Sequence, residues 1–236
     1  MPDHTTRQSR VLARPVTPRA AASVVALREG RQGLEVLMGQ RSPQARFMPG
    51  VFVFPGGSLS PEDGVASGFA EPLIQPTGDQ QSETHKKFAH FVRAALRETL
   101  EETGTLLAQP GQTWRSSATP PAARGQAADV WSCYRHAGLV PAFASLQLIA
   151  EATTPNGLPI RFHSRFFLCR SPLTKQVMAG DGELLAVAWR PLGKLSHLPM
   201  ADVTEAVLHE ASQQFRKSGP GEIRRITYSN SGLRVE

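Results

Sequence analysis

Cysteine is nearly absent: Cys133 and Cys169 are the only two in 236 residues. Two isolated thiols exclude a disulfide scaffold and a Cys/His zinc framework, and each reads as a small buried or half-buried residue rather than a nucleophile. That usage fits a reducing compartment, so a cytoplasmic location is expected. No apolar run approaches the roughly 20 residues that a membrane-spanning helix needs, so the chain is expected to be soluble with no membrane partner. Charge is sparse too, at 19% of residues, and no block of like charges appears. The formal charge of +6 favours anionic partners. Its arginines are scattered, without the concentrated basic or aromatic surface of a nucleic-acid binder, so a phosphorylated small molecule is expected and nucleic acid is not. Repeats and an apolar signal-peptide core are also missing. Residues 1–18 therefore read as a flexible tail, although their arginine, serine and threonine content leaves an organelle-targeting reading open. The final GLRVE carries no lipidation or peroxisomal address.

What is present is a composition, 40% hydrophobic, able to bury one substantial core. The expectation is a single domain over 19–236 with insertions at about 58–82 and 109–140. Arg19 to Arg28 and Leu34 to Gly39 read as two strands in a hairpin-like arrangement, and Val51 to Phe54 as a short third strand closed by Pro55-Gly56-Gly57. A loop follows from Ser58 to about Gln81. The clearest pattern is a helix from about Glu83 to Leu107, its apolar stripe carried by Phe88, Phe91, Val92, Ala95, Leu96, Thr99, Leu100 and Leu106. Residues 109–126 look loop-like and 127–136 suit a short helix. Leu146 to Thr153, Arg161 to Cys169 and Glu183 to Arg190 suit strands, and Asp202 to Phe215 a last amphipathic helix. This mixture predicts an α+β fold, an α/β/α sandwich around a mixed central sheet.

One stretch stands out chemically: Arg97-Glu98-Thr99-Leu100-Glu101-Glu102-Thr103-Gly104. On a helix Glu98, Glu101 and Glu102 share a face, and such crowding weakens the helix by a few tenths of a kcal/mol unless something offsets it. A solvated acidic face is one reading. The other is a divalent cation, because hard ions take oxygen ligands and are held by a few carboxylates together with substrate phosphates.

This stretch resembles the second half of the Nudix box, in which Arg-Glu, an aliphatic, any residue, Glu-Glu, any residue and Gly-aliphatic follow an upstream glycine and glutamate. All charged residues and the glycine are kept, while Thr99 and Thr105 stand at the aliphatic positions. Phe54-Pro55-Gly56-Gly57 supplies the upstream glycine. Thirty-nine residues separate Gly57 from Arg97 where the uninterrupted motif has thirteen, so an insertion of 26 residues lies between them. Asp63 follows Gly57 at the glycine-to-glutamate spacing, but counting back from Arg97 reaches Ala89. The first acid of the box is either absent or supplied by a residue such as Glu62, Asp63 or Glu83.

A long insertion here is similar to that of the Nudix branch containing the peroxisomal coenzyme A and acyl-CoA diphosphatases. Leu37 to Arg46, with Arg41-Ser42 and Arg46, then Gly50 and Phe54-Pro55-Gly56-Gly57, looks like that branch's coenzyme A signature. Gly39 replaces a threonine, Ala45 a leucine, and Phe52 stands where valine is usual. Arg161-Phe162-His163-Ser164-Arg165-Phe166-Phe167 resembles its Arg-Phe-Asp-Thr-Arg-Phe-Phe strand, with His163 for the aspartate.

The resemblance implies a Nudix fold and an enzyme, a diphosphatase using Mg²⁺ or Mn²⁺. Its substrate would be a nucleoside diphosphate conjugate, coenzyme A or an acyl-CoA first. Glu101 and Glu102 are the expected direct metal ligands. Glu98 is a ligand, through water or directly, or the group that takes a proton, and Arg97 orients a glutamate. Arg41 and Arg46 are the expected diphosphate or ribose-phosphate grips, with Gly56 and Gly57 letting main chain approach metal and substrate. Glu151 and Glu183 are further candidates for the base; His163, Trp131, Trp189 and the Phe166-Phe167 pair read as structural. ADP-ribose, dinucleotides and nucleoside triphosphates are alternative substrates, and a non-catalytic nucleotide-binding module is the alternative class. Relatives of this kind often pair, which leaves a homodimer open.

Overall fold

In a computed structural model the described residues are 16–65, 67–71, 83–113, 130–217, 219, 221–229 and 232–236; for 83–87 the description is confined to the backbone. The expected tail over 1–18 lies almost wholly outside them, as do 72–82 of the first expected insertion and 114–129 of the second. Among the described residues twelve strands run β1 Arg19–Gly30, β2 Gly33–Arg41, β3 Phe52–Val53, β4 Gly56–Ser58, β5 Thr105–Thr113, β6 Leu139–Pro141, β7 Leu146–Thr153, β8 Phe162–Arg170, β9 Leu173–Gln176, β10 Leu184–Pro191, β11 Arg224–Ser229 and β12 Gly232–Val235. Three α-helices accompany them among the same residues: α1 Glu83–Thr103, α2 Val130–Ala137 and α3 Asp202–Phe215. No helix among the described residues is long and apolar enough to cross a membrane.

The main sheet is mixed, in the order β10-β2-β1-β8-β7-β11-β12, with β3 added to β2 and β4 to β1. β1 is central, parallel to β8 from Arg19↔Phe162 to Leu27↔Arg170. Its alternate side chains are buried on both faces, as expected of a strand covered above and below. Ala22, Val24 and Ala26 join Phe88, Val92, Leu96 and Leu100 of α1 in one cluster. Val25 and Leu27 join Val207, Leu208 and Ala211 of α3 in the other. The expected sandwich is formed, with α1 on one face and α3 on the other, and α1 also contacts β4.

β1 also creates the opening used by the site. Its far half pairs with β2, from Leu27↔Val36 to Gly30↔Gly33, as the expected hairpin does. Its near half pairs instead with β4, through Ala21↔Ser58, Ala22↔Gly57 and Ser23↔Gly56. β2 meanwhile turns to β3 at Gly39↔Val53 and Gln40↔Phe52. The sheet parts where β1 exchanges neighbours.

The helix predicted to reach Leu107 ends at Thr103. Gly104 adopts a φ of +67°, and Thr105 begins β5. A glycine tolerates that left-handed conformation and so closes helices. Leu106, assigned to the helical stripe, is instead buried in β5, within a second sheet ordered β6-β5-β9. Residues 109–113, expected to be loop, continue that strand. The two threonines at aliphatic positions of the motif are buried with their hydroxyls engaged, which removes the cost of burying them. Thr99 donates to the carbonyl of Ala95 at 2.7 Å, and Thr105 to Gln176 Oε1 at 2.7 Å.

Candidate active site

Gly56 and Gly57 set the site's geometry by having no Cβ. One built on Gly56 would lie 2.3 Å from Ser23 Oγ, and one on Gly57 2.4 Å from the carboxyl carbon of Glu98. The pair lets β4 press against β1 on one side and α1 on the other. The contact is fixed by a hydrogen bond from the Gly56 N–H to Glu102 Oε2 at 2.7 Å.

The shared face of Glu98, Glu101 and Glu102 is formed, and each carboxyl sits in a different environment. Glu102 is 2% exposed. Burial pushes its carboxyl well above the usual range, opposed by the Gly56 hydrogen bond and the charge of Arg41, while Glu98 and Glu183 push it further up. Glu98 is raised to about 7, chiefly by burial and against the pull of Arg97. Glu101, more open, is also raised by burial, with Arg97 opposing. These are carboxylates whose charge is incompletely balanced in the folded protein.

Arg97 is the local counter-charge. Its Nη1 donates to Glu98 Oε1 at 3.0 Å and to Glu101 Oε2 at 2.8 Å. On its other side Nε and Nη2 form a fork onto the two carboxylate oxygens of Asp63, at 2.9 and 3.0 Å. Burial works against this charge, but the Asp63 hydrogen bonds and the three surrounding carboxylates outweigh it, so Arg97 is held as a cation more firmly than usual. Asp63 is 3% exposed and also accepts from the Ser60 N–H at 2.7 Å. Of the candidates for the box's first acid, Asp63 meets Arg97, which would place the extra residues after it; the side chain of Glu83 lies outside the described residues.

Beside this cluster lies a cleft of about 590 Å³ whose lining includes Arg41, Gly56, Gly57, Glu98 and Glu183. Its remaining wall is mostly apolar, with Phe47, Met48, Phe54, Leu158, Phe162, Phe166 and Tyr228. Phe47 meets Phe162 edge to face at 5.1 Å. Arg41 is braced by donating from Nε to the carbonyl of Phe47 at 2.9 Å. Arg46, expected to work beside it, is exposed and does not line the cleft. The two candidate bases separate as well. Glu183 lines the cleft, whereas Glu151 is paired with Arg165 at 2.8 Å and lines a different hollow. Phe166 faces the cleft as well as the core, unlike Phe167 beneath α1. The apolar wall went unread in the sequence, because Phe47, Leu158 and Tyr228 come from separate loops and strands with no shared spacing.

Glu98, Glu101 and Glu102 do not converge into a ready cage: among the described residues no group of three Asp, Glu, His or Cys side chains is disposed to hold an ion alone. The reason is visible, since Arg97 bridges the first two and Gly56 engages the third. The donor set still fits a hard divalent ion, because buried carboxylates with unbalanced charge stand beside an open cleft. Such ions are often held by one or two carboxylates completed by water and substrate phosphate.

No protein-family model matches the chain. Over 154 residues it is 32% identical to the curated protein "Putative nudix hydrolase 7" of Caenorhabditis elegans, a match covering 64% of this chain and 43% of that one. The chain thus spans less than half the length of this relative. It is similar to the crystal structure of a NUDIX hydrolase from Alicyclobacillus acidocaldarius, with a TM-score of 0.60 and 29% identity over 87% of this chain and 99% of the other. The fold is that of the Nudix proteins.

Proposed function

We propose that this chain is a Nudix hydrolase, a reading supported by its likeness to such proteins, and that it hydrolyses the diphosphate linkage of a nucleoside diphosphate conjugate, with coenzyme A or an acyl-CoA as preferred substrate. One observation carries the reading: Glu98, on the acidic face of α1, lines the same cleft as Arg41, Gly56 and Gly57, and the rest of that cleft's lining is mostly apolar. A diphosphate suits the charged groups, and an aromatic base or pantetheine arm suits the apolar lining.

Glu98, Glu101 and Glu102, with main-chain oxygen near Gly56, are the groups that would hold Mg²⁺ or Mn²⁺. Such an ion, when bound, neutralises phosphate oxygens and acidifies the attacking water. Arg97 keeps Glu98 and Glu101 side by side, and Glu102 keeps β4 against the helix. Arg41 grips the diphosphate. Water oxygen bonds to one phosphorus as the bridging P–O bond breaks; the departing phosphate takes that electron pair. Glu98 or Glu183 takes the water's proton, and a Glu98 carboxyl near 7 is poised for such exchange at neutral pH. Coenzyme A would give a 3′,5′-ADP fragment and a phosphopantetheine fragment.

A second reading rests on Arg46, whose position outside the cleft favours conjugates without the extra ribose phosphate, such as ADP-ribose or a dinucleotide. Purified protein incubated with Mg²⁺ or Mn²⁺ and coenzyme A, acetyl-CoA, ADP-ribose or NADH separates the two. Faster turnover of coenzyme A supports the first reading, and faster turnover of ADP-ribose the second. Nucleotide binding without hydrolysis of any of them would leave a non-catalytic module. The cytoplasm is the compartment that fits these substrates and the sparse cysteine.

A further inference from the structure

Arg97 aims Glu98 and Glu101, and Asp63 aims Arg97; the structure also shows what aims Asp63. One helical turn before Arg97, on the same side of α1, stands Arg93, a residue outside the motif and only 8% exposed. Its guanidinium is fully committed. Nε and Nη2 fork onto Glu71 at 3.0 and 2.7 Å, and Nη1 donates to the main-chain carbonyl of Asp63 at 2.9 Å. Glu71 is itself fixed by the Ser67 hydroxyl at 2.6 Å and the Ser67 N–H at 3.2 Å. Burial would raise the Glu71 carboxyl, but these partners hold it below its ordinary value. Ser58, Asp63 and Glu71 are thus all tied to α1 by two arginines four residues apart. Arg97 takes the Asp63 side chain and Arg93 its backbone, while Ser58 contributes its carbonyl to Arg97 Nη2 at 3.2 Å.

We propose that Arg93 and Glu71 are positioning residues for the acidic site, acting through Asp63 and Arg97. The inference rests on the hydrolase reading for its catalytic consequence, but not for its geometry. In the uninterrupted motif seven residues separate the first acid from the arginine, and helix continuity alone can fix their relation. Here thirty-three residues intervene between Asp63 and Arg97. An acid on so long an excursion needs a second anchor, and the Arg93–Glu71 fork supplies it. A planar fork holds an angle as well as a distance, which a point charge does not.

The test uses Glu71→Gln, which keeps shape while removing the charge, and Arg93→Lys, which keeps charge while removing the fork. In ¹⁵N-labelled protein the Arg97 Nε–Hε signal is assigned by its loss in Arg97→Lys, and its exchange with solvent is followed. We expect each variant to speed that exchange about tenfold or more in protein that still melts cooperatively. With the substrate found in the panel above, kcat should fall about tenfold with KM little changed. Adding Glu71→Gln to Arg97→Lys should then cost nothing further, because both act on one chain of contacts. Unchanged Arg97 exchange in folded Glu71→Gln and Arg93→Lys, or strictly additive losses in the double variant, would overturn the proposal. If exchange responds while the wild type hydrolyses no member of the panel, the positioning role stands and the hydrolase reading falls.

Discussion

A Cβ on Gly57 would sit 2.4 Å from the carboxyl carbon of Glu98, so Gly57→Ala must displace either β4 or the carboxylate. Both hold the site, and the variant should lose about 10- to 100-fold in turnover while melting close to wild type. Glu102→Gln tests the same arrangement from the helix. Its amide can present an oxygen to the Gly56 N–H but carries no charge, so the fold should survive while turnover drops by a similar factor. Wild-type rates in either variant would remove these residues from the mechanism. Glu98 adds a pH signature. Its folded value near 7 lies above the ordinary carboxylate value of 4.5, so the folded state binds the extra proton. The stability this lends is complete below the unfolded value and is lost as pH rises through the folded one. In metal-free protein the melting-temperature advantage of Glu98→Gln over wild type should therefore grow from about pH 4.5 to about pH 7 and then level off. A difference independent of pH would show that Glu98 titrates normally.

At the scale of elements, the C-terminal end of α1 is closed by a segment from elsewhere in the chain. Val177 donates to the carbonyl of Gly104 at 3.0 Å and Asp181 to that of Glu101 at 2.8 Å. The Asp181 bond satisfies a carbonyl that the helix end leaves unpaired, the Val177 bond fixes the chain just beyond it, and Glu183 follows into the cleft lining. Gly180 makes the contact possible: its Cβ would lie 2.1 Å from the Glu102 carbonyl oxygen. Gly180→Ala should cost about 1–3 kcal/mol, a melting shift of several degrees, and should lower turnover by moving Glu183. Loss of stability with full activity would separate the loop from the chemistry. Elements with a strong local pattern were legible in the sequence, among them β1, β2, β7, β8, β10 and α3. The over-extension of α1 to Leu107 has a simple cause: Leu106 and Leu107 satisfy a helical stripe as readily as a buried strand. Gly104 and pairing with β9 decide between them. β9, β11 and β12 are short, half-exposed and without a sharp alternation, so pairing partners define them rather than composition.

For the whole molecule, we propose that residues 19–236 act as one cooperative domain, since both faces of a single sheet carry the two main clusters. One melting transition is expected, and two would divide the chain. Mg²⁺ binding to the folded state should raise that transition, by about 2.7 kcal/mol of stability at 100 times its Kd. The gain should shrink in Glu102→Gln, and it should fade with acid because protons compete for the same carboxylates. The amino-acid sequence by itself determined the α+β class and the acidic helix face, because Glu98, Glu101 and Glu102 are brought together by helical periodicity alone. It also marked Phe54-Pro55-Gly56-Gly57 as the place where main chain approaches that face. Only the tertiary structure decided that Asp63 is the acid meeting Arg97, that Glu183 rather than Glu151 reaches the cleft, and that Arg41 but not Arg46 lines it. Each of those choices depends on where a loop or strand returns after a long excursion. That is settled by strand pairing and buried ion pairs between distant residues, for which spacing along the chain carries no signal.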